Sequence, residues 1–109
     1  MILMAEGNLQ SRVLEYLNSL PRCIAENVSG NADQSGRADI NACYKGRCLK
    51  IELKDPETGY QPSQQQLLYL KKWAAAGAKT GVCYSVEEVK FLLEEIDEVR
   101  RRNHNKRKG

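Results

Sequence analysis

Histidine is almost missing from this chain: one residue, His104, in 109. It stands among lysines, arginines and asparagines, where a histidine is ordinarily a solvated side chain and not a general base. Cys23, Cys43, Cys48 and Cys83 include no C-x-x-C pair, and with the one histidine far away a zinc site has no support. Long apolar runs are missing too. The opening Met1–Ala5 is too short for the core of a signal peptide and has no basic flank, so the expectation is a cytoplasmic, intracellular protein that does not engage a membrane. In that compartment the four thiols are expected to be reduced and mostly structural, packed as small hydrophobes on apolar strands. No internal repeat and no linker divides the chain, whose length suits one modest core.

What is present is balanced. Apolar residues make up 41% and charged residues 28%, near the averages of globular proteins, which excludes a disordered class. The net charge of +3 conceals an asymmetry. Residues 100–109 hold six basic side chains (Arg100, Arg101, Arg102, Lys106, Arg107 and Lys108) and no acidic one, so residues 1–99 carry a net −3. A slightly acidic body suits a site that gathers carboxylates around a cation, and a basic tail suits phosphate. The division expected is a domain over 1–99 and a tail over 100–109 that contacts nucleic acid, against the plainer alternative of a solvated, disordered end.

The periodicities alternate between helix and strand. Leu9, Val13, Tyr16, Leu17 and Leu20 recur at helical spacing and Pro21 stops them, which predicts a helix over about 6–19. A short strand over 23–28 follows, then a polar loop from Ser29 to Gly36. From Arg37 to Asp55 the period is two, with Lys45-Gly46 as the turn of a β-hairpin. Pro62 and Ser63 open a helix with Leu67, Leu70 and Ala74 as its core face, ending at Gly77. Lys79–Tyr84 predicts another strand. Ser85 caps a last helix whose stripe is Val89, Leu92, Leu93, Ile96 and Val99, with Arg100–Arg102 at its negative end. The fold class expected is α/β, a mixed sheet flanked by helices.

Chemistry gathers on the hairpin. Leu49, Ile51 and Leu53 alternate with Lys50, Glu52 and Lys54, which puts the charged set on one face. Asp39 lies on the other strand. A register that brings it to that face makes two carboxylates and an ammonium converge, and with a helical Glu6 they would bind a hard cation through oxygen, magnesium being the usual one beside phosphate. Lys54 would stabilise the charge developing on phosphorus or hold the attacking water. Glu-Leu-Lys taken alone is a common tripeptide of any surface strand.

Order and spacing add to it. Gly36-Arg37-Ala38-Asp39, then Ile51-Glu52-Leu53-Lys54, then Ser63-Gln64-Gln65-Gln66 opening a helix, resembles the PD-(D/E)XK nuclease superfamily, and within it the stand-alone VRR-NUC branch of phage and bacterial type. The likeness runs from Glu6 through Val82–Glu88. It implies a restriction-endonuclease-like core and hydrolysis of phosphodiester bonds with Mg2+ or Mn2+, in a bacterial or phage-infected cell. By position, Asp39 and Glu52 are similar to the metal-binding carboxylates, Leu53 would lend its carbonyl to the same ion, and Lys54 is similar to the catalytic lysine. Glu6 is similar to the family's amino-terminal acidic metal residue, although a charge in a first helical turn explains it equally. Gln66 is similar to a glutamine that holds the lysine or a water, with Gln64 and Gln65 as neighbours in register. Ala38 departs from the superfamily's proline, which binds no metal.

No DNA-reading helix of a known class and no appended specificity domain is visible. Shape is thus the expected basis of recognition. Similar stand-alone domains and archaeal junction resolvases imply a homodimer that cuts four-way (Holliday) junctions, since a two-fold substrate has two equivalent strands to cut. Tyr69 and Trp73 on one helix, and the long last helix, are the candidate dimer surfaces, or else core. A non-specific or flap-type DNA nuclease is a second reading, and an inactive nucleic-acid-binding module a third.

Overall fold

A computed structural model of the chain describes residues 9–28, 39–57 and 61–108. In order, α1 spans Leu9–Asn18, β1 Cys23–Asn27, β2 Ile40–Tyr44, β3 Arg47–Leu53, α2 Gln64–Ala75, β4 Lys79–Cys83 and α3 Val86–Lys108. The strands form one sheet in the order β1-β2-β3-β4. The first three are antiparallel, and β4 runs parallel to β3 after the α2 crossover. The mixed sheet flanked by helices is thus as the sequence predicts, whereas the loop expected over 29–36 and the first residues of the opening helix lie outside the described residues.

The hairpin turn is local chemistry. Lys45 and Gly46 both have positive φ, 51° and 86°, the two-residue turn whose twist matches that of the flanking strands. α2 begins with a capping box. Ser63 Oγ accepts the Gln66 N–H at 3.1 Å, and Gln66 Oε1 accepts the Ser63 N–H at 2.8 Å. It ends at Gly77, whose φ of 113° is left-handed.

One face of the sheet is apolar. Ile40, Ala42 and Tyr44 of β2 meet Leu49 and Ile51 of β3 there, and Val13 and Leu17 of α1 with Val89, Leu93 and Ile96 of α3 cover them. A Cβ on Gly81 would come within 2.9 Å of Leu92 Cδ1, so its lack of a side chain lets α3 lie close to β4. The other face carries Asn41, Lys50 and Glu52, with α2 over β3 and β4.

Three expectations need correction. Leu67 and Ala74 are exposed and only Leu70 of that predicted stripe is buried, because α2 touches the sheet along a narrow line over β3 and β4. Val99 is exposed: at this level α3 meets the hairpin turn through its polar neighbours Asp97 and Arg100, which bond Lys45. And α3 does not stop near residue 99: the basic residues continue it as helix to Lys108.

Candidate active site at the end of the hairpin

Strand register brings the acidic residues together. β2 and β3 pair Ile40 with Ile51, so one step further along both strands Asp39 stands opposite Glu52. The other edge of β2 decides how close this is. Val28 N–H donates to Asp39 O and Lys45 N–H to Arg22 O, so the odd-numbered residues of β2 spend their backbone groups on β1. Toward β3 they form non-hydrogen-bonded pairs, with Cα atoms only about 4.5 Å apart. Asp39 Oδ2 accepts the Leu53 N–H at 2.8 Å. The Leu53 carbonyl leaves the strand on the same edge as its N–H and so faces the same place.

Glu52 is the anomaly of the molecule. It is 1% exposed, and while Oε2 meets Lys54 Nζ at 3.4 Å, Oε1 is buried with no hydrogen-bond partner among the described residues. Buried polar atoms are nearly always satisfied, so an orphaned carboxylate oxygen marks a place where a missing group belongs. Burial above all, and then the neighbouring Asp39 carboxylate, pushes the Glu52 carboxyl up to about 7, against the opposing pull of Lys54.

A cleft of about 690 Å³ opens beside this cluster, and the buried Glu52 is not itself on its wall. Asp39, Leu53 and Lys54 line one side, Gln10 and Arg12 of α1 another, and Ser85 and Val86 at the start of α3 a third. Ser85 Oγ accepts the Glu88 N–H at 3.2 Å, capping that helix end.

The structure therefore brings Asp39, Glu52, Leu53 and Lys54 into one place. Glu6 lies outside the described residues. Among the described residues no group of three or more histidine, cysteine or acidic side chains is placed to hold a metal ion; Asp39 and Glu52 are the two carboxylates set side by side, and Asp55, Glu57 and Glu87 are further acidic residues of the cleft lining. Gln66 is not on the cleft wall, and its Oε1 is committed to the cap of α2. The basic residues sit elsewhere. α3 starts at the cleft and runs toward the hairpin turn, where Asp97 bonds Lys45 and Tyr44, and Arg100 donates to the Lys45 carbonyl. Arg100 to Lys106 thus lie about 20–30 Å along the helix from the cleft. Arg101 and Arg102 both pair with Glu98, and exposed His104 lies beside Arg100 and Asp97. Arg107 and Lys108 close α3, and their side chains lie outside the described residues.

Sequence reasoning missed two features. Arg12 is a second cation on the cleft wall; its place on the polar side of α1 was visible, but not which end of the sheet that side meets. Lys50, 7% exposed, puts Nζ 2.6 Å from Asn41 Oδ1 and 3.8 Å from the centroid of the Trp73 ring. Trp73 also meets Tyr69 in a tilted contact, ring centroids 6.0 Å apart, and remains 37% exposed.

This architecture is that of a restriction-endonuclease-like, nuclease-type domain. More narrowly, a solved structure described as a VRR_NUC domain superposes on the chain with a TM-score of 0.64 at 25% sequence identity, over 82% of this chain and 94% of that one. The chain has a VRR-NUC nuclease-like fold. No family model matches the sequence, and none of the curated proteins does. Among the described residues no helix is long and apolar enough to cross a membrane.

Proposed function

We propose that this chain is a divalent-metal-dependent endodeoxyribonuclease acting as a homodimer on branched DNA such as a four-way junction. The observation that carries the chemistry is Glu52: a buried carboxylate with one orphaned oxygen, directly across from Asp39. Two carboxylates and the Leu53 carbonyl are hard oxygen donors, a set that fits Mg2+ or Mn2+ and not a soft metal. Asp39, Glu52 and Leu53 would hold the ion, with Glu6 as a further candidate. A divalent ion there supplies Lewis-acid polarisation of a phosphoryl oxygen and neutralises charge on the scissile group.

The chain's own groups do the rest. Asp39 fixes the strand end through the Leu53 N–H, which holds the carbonyl and the Glu52 carboxylate in a set geometry. Lys54 Nζ, partly exposed at the cleft rim and anchored by Glu52 Oε2, is positioned to donate to the phosphoryl oxygens or to orient the attacking water. Arg12 on the opposite wall would grip a neighbouring phosphate. With Asp39, Glu52 and Lys54 all present, an inactive binding module is disfavoured.

Branched substrates are favoured because the sequence carries no DNA-reading helix of a known class, and a small chain with one such set of carboxylates and lysine needs a second copy to cut two strands. The basic arm of α3 lies far from the cleft and would hold DNA away from the cut. The test is cleavage of a four-way junction beside linear and flapped duplexes, with and without Mg2+, for the wild type and Glu52→Gln, together with the mass in solution. Paired nicks by a dimer that need both Mg2+ and Glu52 support the proposal. A monomer that leaves junctions intact and cuts flaps or linear duplex would move the assignment to the flap-type or non-specific nuclease.

A further inference from the structure

The sheet face opposite the apolar core is covered only in part. α2 lies over β3 and β4, while toward β1 the same face presents Ile24, 69% exposed, and the exposed Cys43. Directly across from Cys43 on β3 is half-buried Cys48. The parity that makes Asp39 and Glu52 a close pair applies here too. Cys43 is an odd-numbered residue of β2 and, like Asp39 just before the strand, has backbone groups that face β1, so it pairs with β3 in a non-hydrogen-bonded site. The Cα atoms of such pairs lie about 4.5 Å apart, with both side chains on one face. That separation falls within the roughly 4.4–6.8 Å that a disulfide spans.

The other two thiols are out of reach. Cys23 pairs with Tyr44 and so projects onto the core face, opposite to Cys43. Cys83 is 2% exposed on that same core face, packed within the buried cluster.

We propose that Cys43 and Cys48 form a cross-strand dithiol that is oxidised to a disulfide by low-molecular-weight disulfides. The exposed Cys43 thiolate attacks one sulfur of the oxidant, forming a mixed disulfide and releasing one thiol. The Cys48 thiolate then attacks Cys43 Sγ and releases the second. Two electrons and two protons pass from the pair to the oxidant, which is reduced to two thiols. The new bond staples β2 to β3 in their existing register, four residues along each strand from Asp39 and Glu52, so it stiffens the hairpin that carries both carboxylates without shifting them. This site is independent of the nuclease proposal.

The test uses the full chain and oxidised glutathione. Under denaturing conditions the titratable thiols should fall from the four of the reduced protein to two, peptide mapping should find Cys43 joined to Cys48, and the melting temperature should rise by about 5 °C, a gain at the low end for disulfides because the closed ring is small. In Cys48→Ser the intramolecular bond should vanish, and glutathione should remain attached at Cys43. Recovery of all four thiols would overturn the proposal, as would glutathione on both cysteines of the wild type or a bond between two chains in place of the Cys43–Cys48 link.

Discussion

The two ends of the hairpin carry similar residues and treat them oppositely. At the turn the charges are paired off: Lys45 meets Asp97 at 2.9 Å, Tyr44 Oη donates to the same carboxylate, and Arg100 reaches the Lys45 carbonyl. Lys45 above all, then Tyr44, holds Asp97 below the usual carboxylate range. At the strand ends, Glu52 is buried beside a second carboxylate with an oxygen unpartnered and its carboxyl raised. One cluster stabilises the fold; the other is held in an unfavourable state by the fold. That contrast within one hairpin is why the proposed site is assigned to the strand ends and not to the turn: an unpartnered buried carboxylate costs stability that an ion pair does not.

The largest effect expected is on cleavage. Asp39→Ala, Glu52→Gln and Lys54→Ala should each lower the metal-dependent rate on the order of a thousand-fold or more, and a double variant should be little slower than either single, because the groups act as a unit. Asp97→Asn at the turn should leave that rate unchanged. Robust cleavage by any of the three would remove the distinction between the two ends.

Stability should respond in the reverse sense. The folded Glu52 carboxyl titrates at about 7, against 4.5 for its reference value, so the folded chain holds this proton more tightly than the unfolded one. The resulting stability is complete below about pH 4.5 and is lost as pH rises through 7, by about 3 kcal/mol at most. In chelator, thermal melts from pH 5 to 8 should show wild type weakening relative to Glu52→Gln, which bears no titrating group there. Parallel profiles for the two proteins would mean that Glu52 is better solvated than its burial implies.

A third effect concerns the basic arm. Replacing Arg101, Arg102 and Lys106 by glutamine removes charges that would otherwise displace counterions from DNA, so log affinity against log salt should become shallower, by up to about 0.9 for each phosphate no longer neutralised. Arg101 and Arg102 already pair with Glu98, so the change should fall short of the full value for three charges. The rate at saturating DNA should hold. An unchanged slope would identify the arm as a solvated helix end.

The smallest effect is assigned to Gln66. Its side-chain oxygen closes the capping box of α2, so Gln66→Ala should cost about 1 kcal/mol of stability, while Gln66→Glu, which can accept the same bond, should restore it. If instead both variants slow cleavage ten-fold or more with little change in melting temperature, the side chain serves the site and not the cap.

The sequence by itself determined the elements and the chemistry on offer. Alternation placed Lys50, Glu52 and Lys54 on one face, Lys45-Gly46 placed the turn, and these two facts set the register that puts Asp39 across from Glu52. They were legible because strand period and turn type are local properties. What lay beyond local reach was which faces other elements would cover. Nothing in the alternation says that α2 and Trp73 would bury the charged face of β3, turning Lys50 and Glu52 from solvated residues into buried ones, or that α2 would leave Leu67 exposed. Nor does the composition of that basic segment say that α3 carries residues 100–108 to the end of the sheet remote from the cleft. Burial depends on packing between segments distant in the chain, and only the tertiary structure decides that; the raised carboxyl of Glu52, its orphaned oxygen and the separation of the basic arm from the site all follow from it.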